Sequence, residues 1–386
     1  MPPNRTVIHQ DEHLRPGLVL SGGGARGAYQ AGVVKGIAEI AAELNVRQPT
    51  PVITGVSAGA INATYLASGC DDFATAADKM ALMWSGLTAD RVFKTDALTA
   101  GRSGLRLMTD ATIGALYQKK LARSLLDTTP LRRLVAETIP FDRIQQNIID
   151  GHLKALAVTA MNYANSTSIA FVQGRPNAPM WTRARRRSEH AMIDVPHVMA
   201  SSALPLFFPP VPVGEYHFGD GTLRNQAPLS PAIHLGAQKL LVVSVRKPDA
   251  TTTSPVPSVD PSLARVLGVM LNALLLDSLD ADMERMSRIN TTVRLIPEEQ
   301  RTSLQLRPVD YLWIRPSQDI GQLPGDLFDC LPRVIRYLIG GLGSSREASE
   351  MTSYLLFDPD FCGQLVAMGY KDALDQREAI AKFLKE

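Results

Sequence analysis

Three short segments of this chain carry residues suited to attack on a carbonyl carbon. Gly55-Val56-Ser57-Ala58-Gly59 is a G-x-S-x-G sequence standing between a predicted strand, Pro51-Val52-Ile53-Thr54, and a helix predicted to begin near Ala60. In such an elbow the serine sits on a strained strand-to-helix turn, and a Cβ at Gly55 or Gly59 would collide with neighbouring backbone. Gly22-Gly23-Gly24-Ala25-Arg26-Gly27 also lies between a predicted strand and a predicted helix, where unpaired amides and the helix dipole favour negative charge. The amides of Gly23, Gly24 and Ala25 are candidate donors to the oxygen that turns negative when Ser57 attacks, with Arg26 adding positive charge. One such donor is typically worth ~10²–10³ in turnover. Gly22, Gly24 and Gly27 equally satisfy G-x-G-x-x-G, the pyrophosphate loop of dinucleotide-binding domains, so the loop alone leaves two readings open. A dinucleotide site also asks for an acidic residue where the second strand ends, and the Ser57 pentapeptide stands there instead.

A serine hydroxyl needs a base, and Phe218-Gly219-Asp220-Gly221, at the end of another predicted strand, offers Asp220. A free aspartate is a poor proton acceptor from an alcohol, so this role requires a buried setting that raises its basicity. The rival is a triad with one of seven histidines: His9, His13, His152, His190, His197, His217 and His234. Only His234 follows Asp220 in the order seen in α/β-hydrolases, and it falls in a mainly apolar run that needs no catalytic explanation. His217, three residues before Asp220 in a strand, points to the opposite face. A two-residue system of Ser57 and Asp220 is the favoured reading.

These loops need a scaffold, and the chain reads as alternating short apolar runs and helical stretches, the pattern of a parallel sheet covered on both faces. Strands are predicted at residues 17–20, 52–54, 153–160, 168–172, 213–218, 239–245 and 311–314. The helix over 28–44 is marked by Val33, Val34, Ile37, Ile40 and Ala41 at helical spacing. A long helix is predicted over 263–289, and 331–384 reads as mostly helical. If the first two strands are adjacent and parallel, both glycine-flanked loops open at the same sheet edge, where ligands of open α/β folds bind. Composition agrees with a folded chain: of 386 residues 45% are hydrophobic and 20% charged. A formal net charge of +2 supplies no global field toward nucleic acid, and no nucleic-acid partner is expected. Cys70, Cys330 and Cys362 form no paired spacing, which points to a reducing compartment and to neither a disulfide framework nor a zinc site. Residues 263–279, the most apolar stretch, are interrupted by Arg265, Asn272 and Asp277 and are expected to form a buried helix rather than a membrane span.

Taken together, residues 21–27, Gly55 to Gly59 and Asp220-Gly221 resemble the patatin-like phospholipase family of lipid acyl hydrolases. Supporting matches are Ala200-Ser201-Ser202-Ala203-Leu204-Pro205 with Phe208-Pro209-Pro210, and residues 225–228. The resemblance covers residues 17–245, and the remainder is similar to the helical extension of bacterial members. It implies a three-layer α/β/α sandwich with a mostly parallel sheet, a Ser57 and Asp220 dyad, an oxyanion hole at Gly22, Gly23, Gly24, Ala25 and Arg26, and no metal or cofactor. Thr222 departs from the family's usual third small residue after the aspartate. The chain is accordingly divided into a tail (1–16), a catalytic domain (17–249), a Pro-, Ser- and Thr-rich linker (250–262) and a mostly helical extension contributing to the core (263–386). The expected substrate is a phospholipid or another fatty acyl ester, cleaved in the manner of a phospholipase A or lysophospholipase. A transacylase or general carboxylesterase with the same dyad, and a dinucleotide-binding protein using residues 22–27, stand as alternatives. The expected location is cytoplasmic, with peripheral contact at a membrane left open. Leu204, Leu206, Phe207 and Phe208 would either form an apolar access surface or pack behind the site. Arg183, Arg185, Arg186 and Arg187 would either meet lipid phosphates or form a solvated loop.

Overall fold

The computed structural model of the chain describes residues 16–94, 124–248, 260–304, 306–323 and 327–385. Residues 1–15 of the predicted tail and 250–259 of the predicted linker lie outside the described residues. The strands are β1 (Pro16–Leu20), β2 (Val52–Val56), β3 (Ala155–Asn162), β4 (Thr167–Gly174), β5 (Thr182–Arg183), β6 (Arg186–His190), β7 (Val211–Val213), β8 (Tyr216–Asp220), β9 (Lys239–Val243) and β10 (Asp310–Ile314). They form one sheet in the order β10-β9-β1-β2-β3-β4-β6-β5. The run from β10 to β3 is parallel, and β4 turns back antiparallel to β3.

β1, β2 and β9 are buried throughout and mostly apolar, as strands covered on both faces are expected to be. Their side chains alternate between two layers. Leu18, Leu20 and Ile53 join a core built with α1 (Gly27–Glu43), α2 (Ala58–Ser68) and α3 (Phe73–Ser85). That side is completed by α4 (Thr129–Thr138), α5 (Asp142–Ile149) and α6 (Val195–Ser201). Val19, Val52, Leu240 and Val242 face the other layer, which holds α7 (Ser230–His234), α8 (Leu263–Leu275) being separate from it, and α9 (Asp277–Leu295). Burying a Leu or Ile fully is worth roughly 1.5–3 kcal/mol, so these two cores carry the sandwich. The architecture is the three-layer α/β/α sandwich with a mostly parallel sheet.

The remaining helices are α10 (Glu298–Ser303), α11 (Arg333–Gly340), α12 (Ser349–Leu355), α13 (Pro359–Asp375) and α14 (Arg377–Lys385). α13 lies against α1 at backbone distance: a Cβ on Gly32 would stand 2.0 Å from the Val366 carbonyl oxygen, and one on Gly369 2.1 Å from that of Tyr29. Tyr29 also donates to the Asp372 carboxylate at 3.0 Å.

Three expectations need correction. Residues 213–218 are not one strand but part of the β7-β8 hairpin, with Val213 opposite Tyr216 and Gly214 at φ 58° in the turn between them. The predicted helix over 263–289 is two helices, α8 and α9, separated at Leu276. Within it the apolar stretch is buried on one side only: Ala264, Gly268, Leu271 and Leu275 face inward, while Val266, Val269 and Met270 are exposed. β5 and β6 were not anticipated, because their arginine-rich sequence lacks apolar alternation. Among the described residues no helix is long and apolar enough to cross a membrane.

One feature of the sheet positions the chemistry. β2 follows β3 in parallel as far as the pair Val56 and Thr159. From the next residue the same edge of β3 is taken by β8, antiparallel, beginning at Ala160 opposite Asp220. Two strands that run in opposite directions therefore meet end to end along β3, and the residues at their C-terminal ends are brought together. Gly221 is needed at this junction, since a Cβ there would stand 2.1 Å from the Thr159 carbonyl oxygen.

Candidate active site

Ser57 follows β2 directly and caps α2 with φ 57° and ψ −128°, a conformation costly for a residue with a side chain. Neighbouring backbone over-determines it. A Cβ on Gly55 would lie 2.1 Å from the Gly59 carbonyl oxygen, and one on Gly59 would lie 2.3 Å from that of Leu20. Both backbone groups of Ser57 are satisfied by serines at the end of α6. Its N–H donates to Ser201 Oγ at 3.0 Å, and its carbonyl accepts from Ser202 Oγ at 3.0 Å. Ser201 Oγ in turn donates to the Thr159 carbonyl at 2.6 Å, tying the turn to β3. The Ala200 to Pro205 run stood out in the sequence, but nothing local to it revealed this bracing role.

The Ser57 hydroxyl donates to Asp220 Oδ2 at 2.6 Å. Asp220 is fully buried, and its other oxygen, Oδ1, accepts from the Thr222 N–H at 2.9 Å and the Thr222 hydroxyl at 2.6 Å. Burial pushes the Asp220 carboxyl above its usual range, while the bonds from Ser57 and Thr222 pull the other way. The raised basicity demanded of an aspartate acting on an alcohol thus has a physical source. Thr222, noted in the sequence only as a departure, orients the carboxylate. Thr222→Val, which removes the hydroxyl bond and keeps the shape, is expected to move the acidic limb of kcat/KM for a soluble ester to higher pH, while Thr222→Ser leaves it in place. A valine variant with an unmoved limb would remove the hydroxyl from this role.

The glycine loop meets this pair. Gly22 packs so close to Ser57 and Thr222 that a Cβ would lie 3.1 Å from Ser57 Cβ and 2.5 Å from Thr222 Cγ2. Gly24, at φ 57°, and Ser57 line the same cavity. Among the described residues, no hydrogen bond engages the N–H of Gly22, Gly23, Gly24 or Ala25, whereas the Arg26 N–H donates to the Gly23 carbonyl at 3.1 Å. The Arg26 guanidinium, expected to add positive charge near the serine, is buried and bonded to Glu350 and Ser353.

A cavity opens beside Ser57, and its walls are apolar, with Ile61, Trp84, Leu131, Leu204 and Phe208 among them. Trp84 is held by a buried polar chain that returns to the glycine loop. Its Nε1 donates to Asn62 Oδ1 at 2.6 Å, Asn62 Nδ2 donates to Gln30 Oε1 at 3.1 Å, and Gln30 Nε2 donates to the Ser21 carbonyl at 2.8 Å. The predicted apolar group divides: Leu204 and Phe208 are buried in the cavity wall, Phe207 is half-buried, and Leu206 is 72% exposed. Tyr354 and Phe357, beyond the region read as catalytic, complete the wall and carried no recognisable sequence signal.

His234, His197 and His217 are placed elsewhere, and His9 and His13 lie outside the described residues. His234 stacks on Trp181 with ring centroids 4.8 Å apart, and burial, aided by Arg183 and Arg186, disfavours its protonation. His197 accepts from the Asp194 N–H at the start of α6 and lies edge-on to Phe171. His217 is exposed, while Asp220 is buried. Arg183 and Arg186 pair across the β5-β6 hairpin at the sheet edge, with Arg185 in its turn, and Arg187 bonds Glu189 at 2.6 Å.

The family model for patatin-like phospholipase matches residues 18–233. Among solved structures, VipD from Legionella pneumophila is similar with 12% identity over 95% of this chain and 67% of its own, at a TM-score of 0.35. The type III effector protein ExoU has 16% identity over 96% of this chain and 54% of its own, at 0.36. Human GIVD cytosolic phospholipase A2, in complex with methyl gamma-linolenyl fluorophosphonate, has 11% identity over 98% of this chain and 60% of its own, at 0.37. The chain thus spans between about half and two thirds of the length of these proteins. No curated protein matches it.

Proposed function

The chain belongs to the patatin-like phospholipase family, and from that premise we propose that it is a serine lipid acyl hydrolase of the phospholipase A or lysophospholipase type, working through Ser57 and Asp220. The observation that carries this reading is the 2.6 Å hydrogen bond from Ser57 to a fully buried Asp220 at the side of an apolar cavity. The apolar walls of this cavity suit an acyl chain.

In the proposed reaction the Ser57 hydroxyl proton passes to Asp220 Oδ2 as Ser57 Oγ bonds to the ester carbonyl carbon. The carbonyl oxygen becomes negative and is met by the unengaged amides of residues 22–25. The carbon–oxygen bond to the lipid alcohol then breaks, and that alcohol leaves with the proton from Asp220. Water attacks the resulting acyl-serine, gives a proton to Asp220 and releases the fatty acid, after which Ser57 recovers the proton. The chain's own residues supply every proton transfer in this scheme. The substrate is proposed to be drawn from a lipid surface by peripheral contact on the cytoplasmic side, and no nucleic acid takes part.

The test is incubation of the protein with vesicles of diacyl phospholipid and with lysophospholipid micelles, glycerol present, followed by mass spectrometry. Free fatty acid is the expected product. Acyl-glycerol in its place would replace the hydrolase with a transacylase, and release from short soluble esters alone would leave a general carboxylesterase.

A further inference from the structure

We propose that Glu350 and Ser353, on α12 in the C-terminal part of the chain, are positioning residues for the glycine loop: by holding the Arg26 guanidinium they fix the amides of residues 22–25 against Ser57. The inference rests on the reading of Ser57 and that loop given above. Arg26 Nε and Nη2 both donate to Ser353 Oγ, at 2.8 and 2.6 Å, and Nη2 donates to Glu350 Oε2 at 2.7 Å. Ser353 Oγ donates its own proton to the Glu350 carbonyl at 2.6 Å, which leaves its lone pairs for Arg26. The guanidinium stacks on the Tyr354 ring at 4.2 Å. The same turn of helix also touches the loop through backbone, since a Cβ on Gly24 would stand 2.3 Å from the Tyr354 carbonyl oxygen. The loop is thus gripped at Gly24 and Arg26 by residues more than 320 positions away.

Asn272 of α8 locks the gripping residues in turn. Its Nδ2 donates to Glu350 Oε2 at 3.1 Å, and its Oδ1 accepts from the Tyr354 hydroxyl at 2.6 Å. A buried ion pair is a poor way to gain stability, because desolvation of both charges offsets most of their attraction. An arginine at the start of a helix could reach water instead. What the buried arrangement does provide is a single conformation for a glycine-rich segment that has few constraints of its own. Donors aimed at a developing charge act only if placed correctly, and a displacement of about 1 Å can cost ~10²-fold in rate. Since those amides meet full charge only in the transition state, disturbing them lowers kcat rather than raising KM.

The test uses the full-length protein, p-nitrophenyl butyrate as a soluble substrate, and Ser353→Ala, Glu350→Ala and Glu350→Gln beside wild type, with circular dichroism to confirm folding. Ser353→Ala and Glu350→Ala are expected to lower kcat by ~10- to 100-fold with KM within about threefold, and to slow fluorophosphonate labelling in parallel. Glu350→Gln keeps an acceptor oxygen and is expected to recover most of the rate. A folded Ser353→Ala protein with wild-type kcat overturns the proposal, and so does a loss confined to KM. If Glu350→Ala leaves a buried charge unpaired and does not fold, Ser353→Ala and Glu350→Gln decide the matter. Undiminished turnover in a parallel Ser57→Ala control would instead mark failure of the underlying assignment.

Discussion

Replacing Ser57 by alanine is expected to abolish covalent labelling by a fluorophosphonate probe and to lower ester turnover by roughly 10⁴- to 10⁶-fold, the scale seen when the nucleophile of a serine hydrolase is removed. The hydroxyl is the only part of the side chain lost, and its bond to Asp220 goes with it. The backbone of the turn remains braced, because Ser201 and Ser202 hold the N–H and carbonyl of residue 57 rather than its side chain. The variant should therefore fold, which separates a chemical loss from a structural one. Labelling of both proteins to the same extent would reject Ser57 as the nucleophile. Labelling of neither, with both folded, would mean that the cavity is closed to the probe.

Asp220→Asn is expected to cost ~10³- to 10⁴-fold in kcat while raising thermal stability at neutral pH. The two effects share a cause. Burial raises the folded-state pKa of Asp220 above its unfolded value, so the folded protein favours the protonated, neutral carboxyl. The stability that the group contributes is fully present below the unfolded pKa and is lost as pH rises through the folded one. Wild type acquires a buried anion as pH rises through the folded-state pKa, whereas asparagine is neutral throughout. Thermal melts should place the variant above wild type near neutrality, with the gap narrowing as pH falls into and below the usual carboxylate range. A variant that melts below wild type at neutral pH, or that retains turnover, would contradict this account of Asp220. Destabilised but reactive groups of this kind are a recognised source of opposition between stability and activity.

Much of this arrangement could be read from local sequence, and the exceptions have a common origin. β1, β2 and β9 are dense apolar runs whose burial leaves little freedom of interpretation. The steric demand at Gly55 and Gly59 is written into the pentapeptide itself, and the structure meets it with carbonyl oxygens at van der Waals limits. That Ser57 and Asp220 touch was inferred from residue type and strand position. The means by which they touch was not legible, because the meeting of β2 and β8 depends on the register of β3, which no short segment specifies. Residues 211–220 contain Pro212, Glu215 and His217 and show too little alternation to announce a hairpin. The side-chain partners of Arg26 lie 324 and 327 residues away in sequence, and pairings at that range leave no periodic trace. Thr222 was read by size alone, when its hydroxyl is what the carboxylate uses.

The end-to-end meeting of β2 and β8 makes this centre unusually sensitive to length. β8 is joined to β3 through only three residue pairs, the last of them Ala160 with Asp220. Strand side chains alternate faces, so adding or deleting a single residue in β8 would turn the carboxylate to the far side of the sheet while leaving every functional group in the chain. Insertions there act like a change of reading phase. Lineages of this chain should therefore keep the count of residues from Tyr216 to Asp220 constant.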